Sequence, residues 1–327
     1  MHIDRRTLLR LMGAAPAALA VPALHANTWP SQAFKLHIGY STGGAADIVA
    51  RTLAVRLEKL LGQPVVFEYR PGAGGAIAAA YVARQPADGY HLYLADTGSM
   101  SIIPNLRSVP YDPVRDFTPL GYVGASGLVL LVNNDVPAND VPSLVRLLKE
   151  KPEAYAYSSS GIGSPHQLAG ELFKQLTGTQ IRHVPYRGAA PAMNDLMAGQ
   201  VQVAFATIAP ALPLIQAGRM RAIAVTSAQR AASMKNVPTI AEQGVAGYEA
   251  TPWFAMVAPP QLPAPIAQRL QQAMVQTMAD PEVVATLDKY GVEDAQARTP
   301  EWVQERVRAD LAKWGQVIKT AGIKMEG

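Results

Sequence analysis

The chain predicts an α/β fold built as two similar units, and three observations carry that prediction. Short apolar runs alternate with stretches of helical apolar spacing, which is the pattern of parallel strands joined by helical crossovers. Two joints of the same construction, a strand running into a glycine-rich loop that opens a helix, occur at Tyr40–Arg51 and at Tyr157–His166. Finally, 327 residues that are 49% hydrophobic and 17% charged suffice for two packed cores.

Taken in order, the alternation Lys35-Leu36-His37-Ile38-Gly39 is a strand, Gly43-Gly44 a tight loop, and Val49, Leu53, Leu57 and Leu60 the apolar stripe of a helix. The first turn of that helix has N–H groups without intrahelical partners and the positive end of the macrodipole, so it favours an anion. Neither glycine has a Cβ, and a ligand can approach their backbone closely. Pro64 to Tyr69 reads as a second strand, Arg70 to Gly75 as a turn into an Ala-rich helix ending before Pro86, and His91 to Ala95 as a third strand. Asp96-Thr97-Gly98-Ser99 follows that strand, and open α/β sheets bind ligands beyond the carboxyl ends of their strands.

Pro110 to Phe117 reads as an irregular connection and Gly127 to Val132 as an apolar strand. From Val141 the pattern restarts: helix Pro142–Lys149, strand Tyr155–Ser158, helix Leu168–Leu176, strand Ile181–Val184, helix Ala189–Met197, strand Val201–Phe205 and strand Arg221–Thr226. Thr251 to Pro259 is a Pro-bounded apolar strand, after which the chain is nearly all helical. The last helix is capped by Thr299 with Pro300 at its first position. Val303, Val307, Leu311, Trp314 and Ile318 form its stripe, which we expect to pack back on the first unit.

The N-terminus has the three regions of a secretory signal: M-H-I-D-R-R-T-L-L-R, the apolar run Leu11 to Val21, and small residues up to Ala26, where cleavage is expected. Arg5-Arg6 is twin-arginine-like, although Asp4 stands where such signals carry Ser or Thr, so both export routes stay open. The run is shorter than the ~20 apolar residues of a membrane span. Formal net charge is +4, of which Arg5, Arg6 and Arg10 against Asp4 supply +2, so no basic stripe points to nucleic acid. With no cysteine, the exported chain has neither disulfides nor a thiolate nucleophile.

Of the six histidines, His2 and His25 leave with the leader, while His37, His91 and His183 fall in strands as packed or hydrogen-bonded imidazoles. His166 alone lies in a glycine-rich loop, with Ser164 two residues away, but no G-x-S-x-G elbow surrounds any serine. No H-E-x-x-H, G-x-x-x-x-G-K-S/T or G-x-G-x-x-G occurs, so zinc and nucleotide binding have no motif behind them. The expectation is a binding protein without catalytic residues, metal or cofactor.

I-G-Y-S-T-G-G-A-A-D-I-V-A-R, E-Y-R-P-G-A-G-G, P-Y-D-P-V-R-D-F, H-Q-L-A-G-E-L-F-K, H-V-P-Y-R-G-A-A-P-A, L-P-L-I-Q-A-G-R-M-R-A-I-A-V-T-S and V-P-T-I-A-E-Q-G occur in that order. From about residue 34 onward the chain thereby resembles the Bug receptors, the extracytoplasmic solute-binding proteins of tripartite tricarboxylate transporters. The resemblance implies a two-domain, periplasmic-binding-protein-like fold, with crossing segments near Gly127 and Trp253 and a small carboxylate, aliphatic or aromatic, in the cleft. After a signal peptide over 1–26, domain 1 is expected at 27–127 plus 249–327 and domain 2 at 128–248. It also implies a periplasmic monomer that delivers its ligand to integral-membrane transporter subunits. A periplasmic sensor feeding a signalling partner is the alternative, and a Ser164/His166 hydrolase a second one.

Carried over by position, Tyr40 is the aromatic that packs on the ligand and Gly43, Gly44, Ala45, Ala46 and Asp47 the first carboxylate loop. Asp47 itself is read mainly as bracing for the loop, since a carboxylate repels an anion. Thr97 and Ser99 are the polar positions after the third strand, and Ser159, Gly161 and Ser164 the second loop, beside His166. For Ser159 and Ser164, turn and helix-cap duty is compatible with that role. Three departures from the family pattern stand out. Ala206-Thr207 replaces Asp-Asn after Phe205, which disfavours a ligand ammonium; Gln167 stands where a His usually precedes Leu-Ala-Gly-Glu; and Ser41 replaces a proline. Arg187 is read as an ion-pair residue before a ligand counter-ion.

Overall fold

The computed structural model describes residues 29–152 and 154–324, so the expected leader lies outside the described residues. The strands are β1 (Phe34–Ile38), β2 (Val65–Tyr69), β3 (His91–Asp96), β4 (Thr118–Ser126), β5 (Leu128–Val132), β6 (Ala156–Ser159), β7 (Arg182–Pro185), β8 (Val203–Thr207), β9 (Arg221–Val225), β10 (Trp253–Ala258) and β11 (Val292–Glu293). The helices are α1 (Ala45–Leu61), α2 (Ala76–Val82), α3 (Ile103–Leu106), α4 (Val141–Glu150), α5 (Pro165–Thr177), α6 (Ala189–Met197), α7 (Ile208–Gln216), α8 (Ala264–Met278), α9 (Pro281–Lys289) and α10 (Pro300–Ala321).

Two sheets result. The first has the order β11-β4-β10-β3-β1-β2 and the second β7-β6-β8-β5-β9. Strands β1, β2 and β3 run parallel, as do β6, β7 and β8, while β10 and β5 enter their sheets antiparallel. Both sheets are covered on both faces. Leu36, Val49, Leu53 and Leu94 pack with α8 and α9 residues on one face of the first sheet, and Ala79, Tyr93 and Trp253 with Val303 and Val307 on the other. The second sheet buries Leu130, Tyr157, Leu168 and Phe205 on one side, and Val129, Leu131, Leu196 and Ile208 on its reverse. Burial on both faces is why these strands read as continuous apolar runs.

The chain leaves the first sheet at Ser126-Gly127 and returns to it just before Trp253. Gly127 is closely packed at this crossing: a Cβ there would sit 2.7 Å from Ile208 Cδ1, which would have to move aside. The sequence pattern did not reveal β4, whose Pro119, Gly121 and Gly124 read as breakers. Those two glycines are packing sites: a Cβ on Gly121 would lie 3.1 Å from Met274 Cβ and one on Gly124 2.7 Å from Val292 Cγ1. Helix α7 escaped notice for a similar reason, since Pro213 lies inside it.

In α1 it is Leu61 that is buried, with Leu60 half-buried. In α10 the stripe takes in Asp310 and Val317 and leaves Leu311 half-buried, because Asp310 accepts the Trp253 indole N–H at 2.6 Å. That helix does not rest on the first unit alone. Val303 and Val307 join the first sheet's core, whereas Trp314, Val317 and Ile318 join the second's.

Candidate ligand-binding site

At the first joint, Gly43 has φ +81°, a left-handed conformation that glycine adopts without strain, and Gly44 is the extended N-cap of α1. The Asp47 carboxylate, 5% exposed, is spent on the loop. Its Oδ2 accepts the Gly43 N–H at 2.8 Å, and its Oδ1 accepts the Tyr69 hydroxyl at 2.6 Å and the Arg51 Nε–H at 2.9 Å. Burial pushes its pKa up, but the Tyr69, Gly43 and Arg51 donors outweigh burial and hold it below the usual carboxylate value. The first intrahelical bond runs from Ile48 N–H to Gly44 C=O, so the N–H groups of Ala45, Ala46 and Asp47 remain as helix-end donors.

Tyr40, half-buried, donates its hydroxyl to Asp96 Oδ2 at 2.5 Å. Asp96 also accepts the Ser99 hydroxyl at 2.7 Å and the N–H groups of Gly98 and Ser99 at 3.2 Å each. Burial raises the Asp96 pKa despite these donors. Thr97 and Ser99 are buried; Thr97 Oγ1 accepts the Trp253 N–H at 2.8 Å and so ties the end of β3 to the start of β10. The Tyr40–Asp96 bond joins the loop after β1 to the loop after β3, and the Ser99 hydroxyl holds Asp96 in place for it.

The second joint is more tightly wired. Gly163 N–H donates to Gln167 Oε1 at 2.7 Å, which leaves the Gln167 amide nitrogen to donate to His183 Nδ1 at 3.2 Å. His183 therefore carries its proton on Nε2 and donates to Ser159 Oγ at 2.7 Å; Ser159 in turn donates to Gly161 C=O at 3.1 Å. Gly161 N–H closes the ring on Ser159 Oγ at 3.2 Å. Ser164 caps α5 by accepting the Gln167 N–H at 3.3 Å. Buried His166 bonds Ser160 Oγ through Nδ1 at 2.7 Å and Thr207 Oγ1 through Nε2 at 3.1 Å. Burial brings the pKa of His166 down to about 4 and that of His183 down to about 4, so both are neutral at pH 7.

Of the residues expected at the second loop, Ser159, Gly161, Ser164, His166 and Thr207 are thus brought together. Ala206 instead turns its methyl into the apolar cluster with Val129, Ala204 and Ile208. Ser160, Gln167 and His183 were not among the expected ligand residues; Ser160 lies inside the Tyr157–His166 joint, Gln167 was marked only as a departure from the family pattern, and His183 opens one of the quoted motifs. His166 partners Ser160, and Ser164 caps α5, so the Ser164/His166 pair does not form.

Three helices begin around this loop. Ser164 is the N-cap of α5, Gly188 that of α6 and Thr207 that of α7. Gly188 N–H donates to Ser160 C=O at 3.2 Å, and His166 links Ser160 to Thr207. Each helix start carries roughly half a positive charge, so the loop is electropositive without a lysine or arginine in it. Sheet register bounds the separation of this loop from the end of β3. Asp96 pairs with Phe254, Phe254 with Gly124, and Leu128, four residues further on, with Thr207. At strand spacings that path is at most roughly 28 Å.

The model of the tripartite tricarboxylate transporter family receptor matches residues 49–323. The chain belongs to that receptor family. Bordetella pertussis BugT is 32% identical over 317 residues, covering 95% of this chain and 96% of BugT. Among solved structures, an R. palustris protein with adipate is 36% identical with a TM-score of 0.78, covering 90% of this chain and 99% of its own. The periplasmic binding protein BugD is 31% identical with a TM-score of 0.75, covering 91% and 100%. MatC from Rhodopseudomonas palustris, with bound malate, is 27% identical with a TM-score of 0.74, covering 89% and 100%. The three solved structures share the overall fold described above. Among the described residues, this family member has no cluster of three metal-ligating side chains and no helix long and apolar enough to cross a membrane.

Proposed function

We propose that this receptor captures a small organic carboxylate in the periplasm and presents it to integral-membrane transporter subunits. The observation that carries the reading is the gathering of the α5, α6 and α7 N-termini around one loop, together with the free N-terminus of α1 at the first joint. The donors are the N–H groups of Ala45, Ala46 and Asp47, the backbone N–H of His166 and, with the His166 proton on Nδ1, the hydroxyl of Ser160, while the Thr207 hydroxyl then donates to Nε2. Tyr40 supplies an aromatic wall, and Asp47, Thr97, Ser99, Ser159 and Ser164 hold these groups in place. Each charge-assisted bond is worth ~1.5–3 kcal/mol net, so a few of them reach the roughly −8 kcal/mol of micromolar affinity. We place the two lobes at 27–127 plus 249–327 and at 128–248, joined by the Ser126-Gly127 crossing and the return before Trp253, in a monomer that acts without cofactor or catalysis.

Relatives solved with adipate and malate support the ligand class. A thermal-shift screen of aliphatic and aromatic mono- and dicarboxylates tests it. A ligand at a hundred times its dissociation constant adds ~2.7 kcal/mol to stability, a shift the assay resolves. If no carboxylate moves the melting temperature while a neutral or cationic solute does, the reading fails.

A further inference from the structure

We propose that Ile162, held outward by the ring of hydrogen bonds through Gln167, His183 and Ser159, is the residue that reads the carbon skeleton of the bound acid. The inference rests on the carboxylate-receptor reading and adds a selectivity to it: acids with an apolar chain next to the carboxylate are preferred over shorter ones.

Ile162 is 46% exposed although it is a large aliphatic residue in a loop otherwise made of serine and glycine. Mobility does not account for this exposure. On either side of it Gly161 and Gly163 have φ +139° and +74°, conformations that side chains rarely adopt, and both are pinned. Gly161 N–H and C=O both engage Ser159 Oγ, and Gly163 N–H engages Gln167 Oε1. The ring closes through His183, whose imidazole stacks on the buried Tyr157 at 4.9 Å between centroids. With its neighbours fixed this way, the Ile162 side chain can only point away from the loop's hydrogen-bonded interior. The ring also occupies the Gly161 and Gly163 N–H groups and the Ser159 hydroxyl, which removes them as direct carboxylate donors and leaves that duty to Ser160 and the helix ends. A carboxylate on Ser160 therefore has its first carbons beside an apolar side chain two residues away. Gln167 and His183 are positioning residues here, and neither touches the ligand.

The test compares adipate with succinate, two dicarboxylates of equal charge that differ by two methylene groups, by calorimetric titration of the wild type, Ile162→Ser and Gln167→Met. Burying two more methylenes is expected to favour adipate about tenfold in the wild type. Ile162→Ser, a change at an exposed side chain, should bring the two affinities within about threefold of each other by weakening adipate. Gln167→Met should do the same through the loop, with circular dichroism showing the fold retained. The nitrogen shifts of His183 provide a reading independent of any ligand, because the ring of bonds requires the proton on Nε2. Glu171 and Lys174 are the charged groups that act on this imidazole. A wild type that binds both acids without preference, an Ile162→Ser variant that keeps the wild-type ratio, or a His183 proton on Nδ1 would each overturn the inference and leave the receptor reading standing. Failure of every carboxylate to bind would overturn both.

Discussion

Asp47→Asn separates a bracing carboxylate from one that meets the ligand. The wild-type side chain, 5% exposed, accepts three bonds, two of them from Gly43 N–H and the Tyr69 hydroxyl. The third comes from Arg51, whose side chain is 55% exposed, and adds little in solvent. An asparagine keeps one acceptor oxygen and turns an N–H₂ toward the donors on the other side, so one of these two charge-assisted bonds is lost and its donor faces another donor. Each such bond is worth ~1.5–3 kcal/mol net, and the loss should be about 2–4 kcal/mol in urea unfolding at pH 7. Ligand affinity should fall as well, because Gly43 no longer fixes the loop that presents Ala45 and Ala46. If Asp47 instead faced the ligand, removing its negative charge beside an anion would leave stability unchanged and tighten binding. That pair of results would refute the bracing argument.

Two further predictions follow from the same groups. Gly44→Val should fold normally, since the residue is extended and a Cβ there meets nothing nearer than 3.7 Å, yet weaken carboxylate binding at least tenfold; calorimetry showing unchanged affinity would move the anion site elsewhere. His37, His166 and His183 have pKa values lowered chiefly by burial, to about 3, about 4 and about 4. A group kept neutral in the fold but protonated in the unfolded chain contributes its full stability above the unfolded value near 6.5, and loses it as pH falls toward the folded value. Each histidine should therefore lower the unfolding free energy by up to about 1.4 kcal/mol per pH unit between pH 6 and 4.5, and replacing it by an untitratable residue should flatten the profile by that amount; a slope unchanged by the replacement would contradict the burial argument.

The sequence disclosed those parts of the fold whose signal is local. Alternation marked β1 and β3, helical spacing marked α1 and α10, and Thr299-Pro300 marked the start of α10. What stayed hidden depends on partners distant in the chain. The glycines of β4 make sense only once Met274 and Val292 are packed against them, and Asp310 is buried because Trp253 needs an acceptor. The site divides in the same way. The glycine loops and His166 were legible as loops, and the bracing role of Asp47 as a matter of charge. The bonds of His183 to Ser159 and Gln167 join residues on different elements, and no spacing rule announces them.

In the proposed clamp, one carboxylate engages loops from both lobes. Groups from both are engaged together only when the lobes close, and two charge-assisted bonds gained on closure, at ~1.5–3 kcal/mol each, bias the closed arrangement by roughly 3–6 kcal/mol. That is enough to turn a mostly open population mostly closed. Small-angle scattering with and without a saturating acid from the thermal-shift screen tests this directly. The account predicts a smaller radius of gyration with the acid bound, and superimposable curves at saturation would contradict it.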